Sequence, residues 1–280
     1  MASLLVSIPA AIVTLVLGMV LVLGGLWTGQ NIKLLPVGAS LNAPVYDELF
    51  RVLFSIGTIL FIGVVGLLLF SLVRFRRRPG DLGDGLAMEG NLPLEVFWTA
   101  VPAVVIFFVG LYSYDIYDRM GGMMPLNQQG HHTMPTIVTN KRIWGGIGSG
   151  SVEAIVPAAA QAPLPVEVTA MQFAFLFHYP RAEIISGELH VPAGRQVDLK
   201  LEAKDVIHAF WVPEFRLKQD VIPGQPTLLS FTPMMPGRYP IVCAELCGPY
   251  HGSMRSVVVV EEPEIFDEWL RRNSNLPTKA

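Results

Sequence analysis

Cys243 and Cys247 are the only cysteines in this 280-residue chain, and they stand four positions apart. The run Cys243-Ala244-Glu245-Leu246-Cys247-Gly248-Pro249-Tyr250-His251-Gly252-Ser253-Met254 places an imidazole four residues after the second thiol and a thioether three beyond that. Thiolate, imidazole and thioether donors together select copper over magnesium, calcium or manganese. One thiolate would suffice for a mononuclear blue-copper site. Two thiolates with His251 and the upstream His208 suggest two copper ions bridged by the sulfurs. A disulfide between the cysteines in an oxidising compartment would leave His251 and Met254 unexplained. A structural zinc site rarely recruits methionine, and the cysteines do not have C-x-x-C spacing.

Such a loop needs a rigid frame. From about residue 165 the sequence reads as short strands. Val166, Val168 and Ala170 alternate with polar residues, Leu189 to Leu201 is punctuated by Pro192-Ala193-Gly194, and Arg255 to Val260 is rich in β-branched residues. Several short strands with turn signals predict an antiparallel β-sandwich or barrel over 165–262. Loops at one end of a sandwich can bring His208, in Asp205-Val206-Ile207-His208-Ala209-Phe210-Trp211, to the cysteine loop. Ile265, Phe266, Trp269 and Leu270 predict a short amphipathic helix in the C-terminal segment 263–280.

The rest of the chain is built for lipid. Charged residues are only 15% of the total, against about 25% in ordinary soluble domains, and mean hydropathy is +0.46. Leu4 to Trp27, Val52 to Val73 and Val96 to Tyr114 carry no charge. Each reaches the ~18–20 residues that cross a bilayer as a helix. The second and third predict a transmembrane hairpin over 48–118. The first, within 1–30, reads as a signal peptide or a transmembrane helix; its long apolar run and uncharged Met1-Ala2-Ser3 favour the retained helix.

Arg74, Arg76, Arg77 and Arg78 directly follow the second apolar run, which places that turn in the cytoplasm and everything after Asp115 on the periplasmic or lumenal side. Residues 119–164, with Gly121-Gly122, Gly145-Gly146 and Gly148-Ser149-Gly150-Ser151, read as a linker; His131 and His132 within it read as an exposed pair. A formal net charge of −3 gives no sign of nucleic-acid binding.

These residues resemble subunit II of the haem–copper cytochrome c oxidases along nearly the whole chain. The match is carried by Val206-Ile207-His208-Ala209-Phe210-Trp211-Val212-Pro213, by Lys218-Gln219-Asp220-Val221-Ile222-Pro223-Gly224, by Pro236-Gly237-Arg238-Tyr239 and by the loop from Cys243 to Met254. Thr28-Gly29-Gln30-Asn31, Leu34-Leu35-Pro36-Val37 and Ala170-Met171-Gln172-Phe173 look like cyanobacterial members. The resemblance implies a membrane-anchored all-β protein: N-terminal transmembrane helices, then a cupredoxin-like domain with a dinuclear CuA centre, in a plasma or thylakoid membrane.

By that resemblance Cys243 and Cys247 are bridging thiolates, and His208 and His251 each ligate one copper. Met254 is a weak thioether ligand, and Glu245 gives its backbone carbonyl. The Glu245 side chain is then free to help bind magnesium or manganese at the boundary with subunit I. The implied partners are subunits I and III, with haem in subunit I, membrane lipid, and a soluble donor: cytochrome c, a small cytochrome or plastocyanin. The implied activity is relay of electrons toward oxygen reduction coupled to proton pumping, with no catalytic acid, base or nucleophile in this chain.

The sequence departs from the family at Gln172-Phe173-Ala174-Phe175, where many members have Gln-Trp-Tyr-Trp. Phe173 replaces the tryptophan at which electrons usually come in, keeping an aromatic surface without the indole N–H. Phe173 and Trp211 are the expected electron-input residues. Rival readings explain less. A quinol oxidase subunit II would lack the ligands, a nitrous oxide reductase would need a large second domain, and a membrane-anchored copper carrier would not account for Glu245.

Overall fold

A backbone in hydrocarbon must satisfy its own hydrogen bonds, so long uncharged runs become helices. The computed structural model describes residues 9–77, 80, 83, 90–119 and 162–274. It opens with α1 (Ala10–Asn31), α2 (Ala43–Arg74) and α3 (Leu92–Arg119). All three are long and apolar enough to cross a membrane. Leu60, Phe61, Leu67, Ile106 and Phe107 are exposed along α2 and α3, as side chains meant for lipid or neighbouring helices are. α1 approaches α2 closely: a Cβ at Gly25 would collide with Ile59, and one at Gly29 with Ser55. Small residues four apart permit such backbone contact between membrane helices. Arg78 of the basic turn, residues 1–8, and nearly all of the linker with His131 and His132 lie outside the described residues.

The second compact unit combines Leu35–Pro44 with the C-terminal part of the chain. Its strands are β1 (Leu164–Met171), β2 (Ala174–Tyr179), β3 (Ile184–Ser186), β4 (Leu189–Pro192), β5 (Val197–Ala203), β6 (His208–Val212), β7 (Leu217–Val221), β8 (Thr227–Phe231), β9 (Gly237–Cys243) and β10 (Arg255–Glu261), followed by α4 (Pro263–Asn273). They form two five-stranded sheets, ordered β3-β2-β1-β5-β8 and β4-β10-β9-β6-β7. Alternate residues of β1 and β5 point into the core. Val168, Leu199 and Leu201 from one sheet and Phe210, Ile241 and Val258 from the other share one buried cluster.

The expected sandwich is present, but its sheets are mixed. β1 runs parallel to β5, and β4 parallel to β10. Parallel neighbours cannot be joined by tight hairpins, and here the chain passes between the two sheets before each pairing. α4 lays Phe266, Trp269 and Leu270 against the core. Trp269 stacks on His190 at 4.2 Å between ring centroids.

Residues 35–44 are woven into this β-unit. The Ala39 N–H donates to the Glu214 carbonyl at 2.8 Å, and the Ala39 carbonyl accepts from Met234 N–H at 2.8 Å. The Ser40 hydroxyl donates to the Phe215 carbonyl at 2.8 Å, and the Arg216 guanidinium donates to the Pro36 carbonyl at 2.6 Å. Glu214 and Phe215 lie in a short 3-10 turn, which ends at Arg216 in the left-handed conformation with φ 56°.

Candidate metal centre

Two strand ends build the site. β6 and β9 are antiparallel neighbours with Phe210 opposite Cys243, so His208 at the start of β6 overhangs the loop that leaves β9. The Ala244 N–H donates to the Ala209 carbonyl at 3.3 Å and extends that pairing by one step. Cys243 N–H donates to the Met254 carbonyl at 3.2 Å and closes the base of the loop. Within it, His251 N–H reaches the Gly248 carbonyl at 3.1 Å and Met254 N–H the His251 carbonyl at 3.1 Å.

The donor atoms fall into two halves. Cys243 Sγ lies 3.8 Å from His208 Nδ1 and 3.4 Å from the Glu245 carbonyl oxygen. Cys247 Sγ lies 3.6 Å from His251 Nδ1 and 3.7 Å from Met254 Sδ. The two sulfurs are 3.8 Å apart and join the halves. The donor atoms of His208, Cys243 and Cys247 all lie within 4.8 Å of one another. The loop and the start of β6 thus bring together all six residues expected from the sequence.

Burial shapes the chemistry. His208 and Met254 are fully buried, and both cysteines nearly so. Burial, with the Cys243 sulfur alongside, pushes the Cys247 thiol up to about 11, so at neutral pH it keeps its proton until a metal displaces it. His208 Nε2 is 2.8 Å from Asp205 Oδ1. Donation of Nε2–H to that carboxylate leaves the Nδ1 lone pair free on the sulfur side, the tautomer a metal ligand requires. Partial burial works against the Asp205 carboxylate, but the Gln172 N–H, His208 and the Val206 N–H outweigh it and hold the group below the usual carboxylate range.

Three supporting residues were not read from the sequence. Asp205 Oδ2 accepts from Gln172 N–H at 2.7 Å, and the Gln172 side-chain amide donates to the Cys247 carbonyl at 2.6 Å. Tyr250 sets its ring against Phe173, 5.3 Å between centroids at 80°. Asp205 lies three positions before His208, a spacing that could have marked it. Gln172 is 75 residues from Cys247, and no local pattern joins them.

The other expected residues take separate places. Phe173 is half-buried under the metal loop. Trp211 lies on β6 between Val242 and Lys218, 39% exposed. The Glu245 carboxylate does not turn inward: Lys218 Nζ holds it at 3.0 Å and Asp220 at 3.3 Å. The Glu245 carboxylate and then Asp220 raise the Lys218 ammonium above its ordinary range.

Comparison with known families matches residues 25–116 to the transmembrane domain of cytochrome c oxidase subunit II, and residues 179–261 to its periplasmic domain. The chain belongs to the cytochrome c oxidase subunit II family. It is 46% identical to cytochrome c oxidase subunit 2 of Thermostichus vulcanus, across 97% of this chain and 88% of that one. It is 43% identical to the Synechocystis protein, across 98% of this chain and 86% of that one. The cyanobacterial likeness read from the sequence is thereby shown. Among solved structures, the periplasmic domain of Bradyrhizobium japonicum oxidase subunit II is 27% identical over 40% of this chain and 94% of its own, with a TM-score of 0.38. The protein is an integral-membrane oxidase subunit with a periplasmic-type β-domain, and its His–Cys–Cys group could bind copper.

Proposed function

We propose that this chain is the electron-input subunit of a respiratory terminal oxidase, with a dinuclear copper site of the CuA type. The observation that carries this is the paired arrangement of donors: two sulfurs 3.8 Å apart, each with its own imidazole nitrogen. A mononuclear site would leave half of this set idle. Cys243 and Cys247 would be shared by both metals, His208 and His251 would each serve one, Met254 would add a thioether to one of them and the Glu245 carbonyl would serve the other. Copper bound there supplies one-electron redox chemistry. The chain's part is to hold five donors on a closed loop and a sixth, His208, on the adjoining strand, so that little rearranges when charge changes.

The Glu245 carboxylate is not needed by the copper set and is 40% exposed. A hard carboxylate oxygen suits magnesium or manganese, and we assign it to such an ion shared with subunit I, in exchange for Lys218. Subunits I and III are the membrane partners. A soluble donor, whether cytochrome c, a small cytochrome or plastocyanin, delivers electrons that pass to haem in subunit I for oxygen reduction coupled to proton pumping. Phe173 and Trp211 are candidates for the electron-input surface.

The test is anaerobic mixing of the assembled oxidase with reduced soluble cytochrome c, following copper and haem absorbance separately. Loss of the copper band before haem reduction is expected. Haem reduction with the copper band lagging behind would contradict the assignment.

A further inference from the structure

We infer that Tyr250 is the surface group through which a soluble one-electron carrier couples to this chain, with Phe173 as the ring beneath it. The inference rests on the copper assignment above. Electron tunnelling weakens steeply with distance and is favoured by covalent links, so the useful surface group is an exposed ring bonded or packed directly onto a ligand. Tyr250 is 66% exposed and is joined by one peptide bond to His251, whose Nδ1 lies 3.6 Å from Cys247 Sγ. Its ring meets Phe173 edge to face at 5.3 Å.

Phe173 is in turn seated on the metal loop. A Cβ at Gly248 would lie 3.3 Å from its ring carbons, and the neighbouring Gln172 side chain holds the Cys247 carbonyl at 2.6 Å. The phenylalanine is half-buried, so a carrier meets the tyrosine before it. Phe173 lacks the area of an indole, and the Tyr250 ring restores aromatic surface beside it.

Trp211 is less well placed. Its strand neighbours are Val242 and Lys218, and it is three residues from His208. The loop also separates its tasks. The Glu245 side chain is bound by Lys218 on β7, in the sheet that carries His208, while Tyr250 packs on the turn between β1 and β2 of the other sheet. One edge is left for a cation and subunit I, the other for the donor. In the transfer the carrier is oxidised by one electron and the copper site reduced by one; no bond forms or breaks and no proton moves.

The test uses the assembled oxidase with reduced soluble cytochrome c as probe. Stopped-flow mixing gives the bimolecular rate of copper reduction, the later haem step is followed separately, and paramagnetic resonance reports the copper site. Tyr250→Ser is expected to slow the bimolecular step on the order of tenfold, as truncation of an aromatic anchor at a contact centre does. The copper spectrum and the haem step stay as in wild type, and Tyr250→Phe recovers the rate. Leu228→Ser, an exposed aliphatic on β8, serves as the unaffected control. A Tyr250→Ser rate equal to wild type, with a normal copper spectrum, would overturn the role of Tyr250 alone. A wild-type oxidase without a dinuclear copper signal would overturn the copper assignment and this inference with it.

Discussion

His208 Nε2 and Asp205 Oδ1 are 2.8 Å apart, and that contact fixes which face of a fully buried imidazole is left for the sulfurs. Asp205→Ala removes the acceptor while leaving every proposed donor in place. Partners of metal-ligating histidines contribute about 10–100-fold to metal affinity. A loss of that order is expected in copper titrations against a competing chelator, with far-ultraviolet dichroism unchanged. Unaltered affinity would mean that packing alone orients His208.

Gly248 is the tight point of the loop. Its φ is +133°, and an added Cβ would lie 2.9 Å from the Gln172 amide nitrogen. Gly248→Ala therefore sets backbone strain against the hydrogen bond from Gln172 to the Cys247 carbonyl. A cost of about 1–3 kcal/mol is expected, read as a lower apparent Tm, with a perturbed copper spectrum.

Tyr179 links the β-sandwich to an alkaline limit of stability. Its hydroxyl donates to the His190 carbonyl at 2.8 Å and accepts from His190 N–H at 2.7 Å. Burial pushes the phenol well above its ordinary range. A group raised in the folded state contributes its full stability below the unfolded value and loses it as pH climbs toward the folded one. Apparent Tm should therefore fall as pH rises past about 10, the ordinary tyrosine value. In Tyr179→Phe this alkaline fall should be shallower. At neutral pH the variant should lose about 1–3 kcal/mol, because His190 N–H is left unpaired.

In the proposed site Cys247 serves both metals, so Cys247→Ser should abolish the two-copper spectrum. Serine is close to cysteine in size, and the fold should survive, read by dichroism. An unchanged copper spectrum would remove the bridging role from this thiol.

How much of this was legible in sequence follows from where the information lies. The soft donors of the loop share twelve residues, so their spacing is visible directly. His208, 35 residues before Cys243, was a candidate by residue type and by the convergence of loops in a sandwich, but its actual approach depends on β6 lying beside β9, which spacing does not record. The clamp from the Gln172 side chain to the Cys247 carbonyl and the weave of Ala39 between Glu214 and Met234 join distant segments, each ending on backbone groups that leave no pattern in sequence. Alternation exposed β1 as a strand, but the parallel β1–β5 pairing depends on passage between sheets, which periodicity does not record.

The most direct test of the central claim is copper stoichiometry and paramagnetic resonance of the full-length protein, purified in detergent and loaded with copper. The account predicts two coppers per chain and a seven-line signal, from one unpaired electron shared by two copper nuclei. One copper with a four-line signal would contradict it.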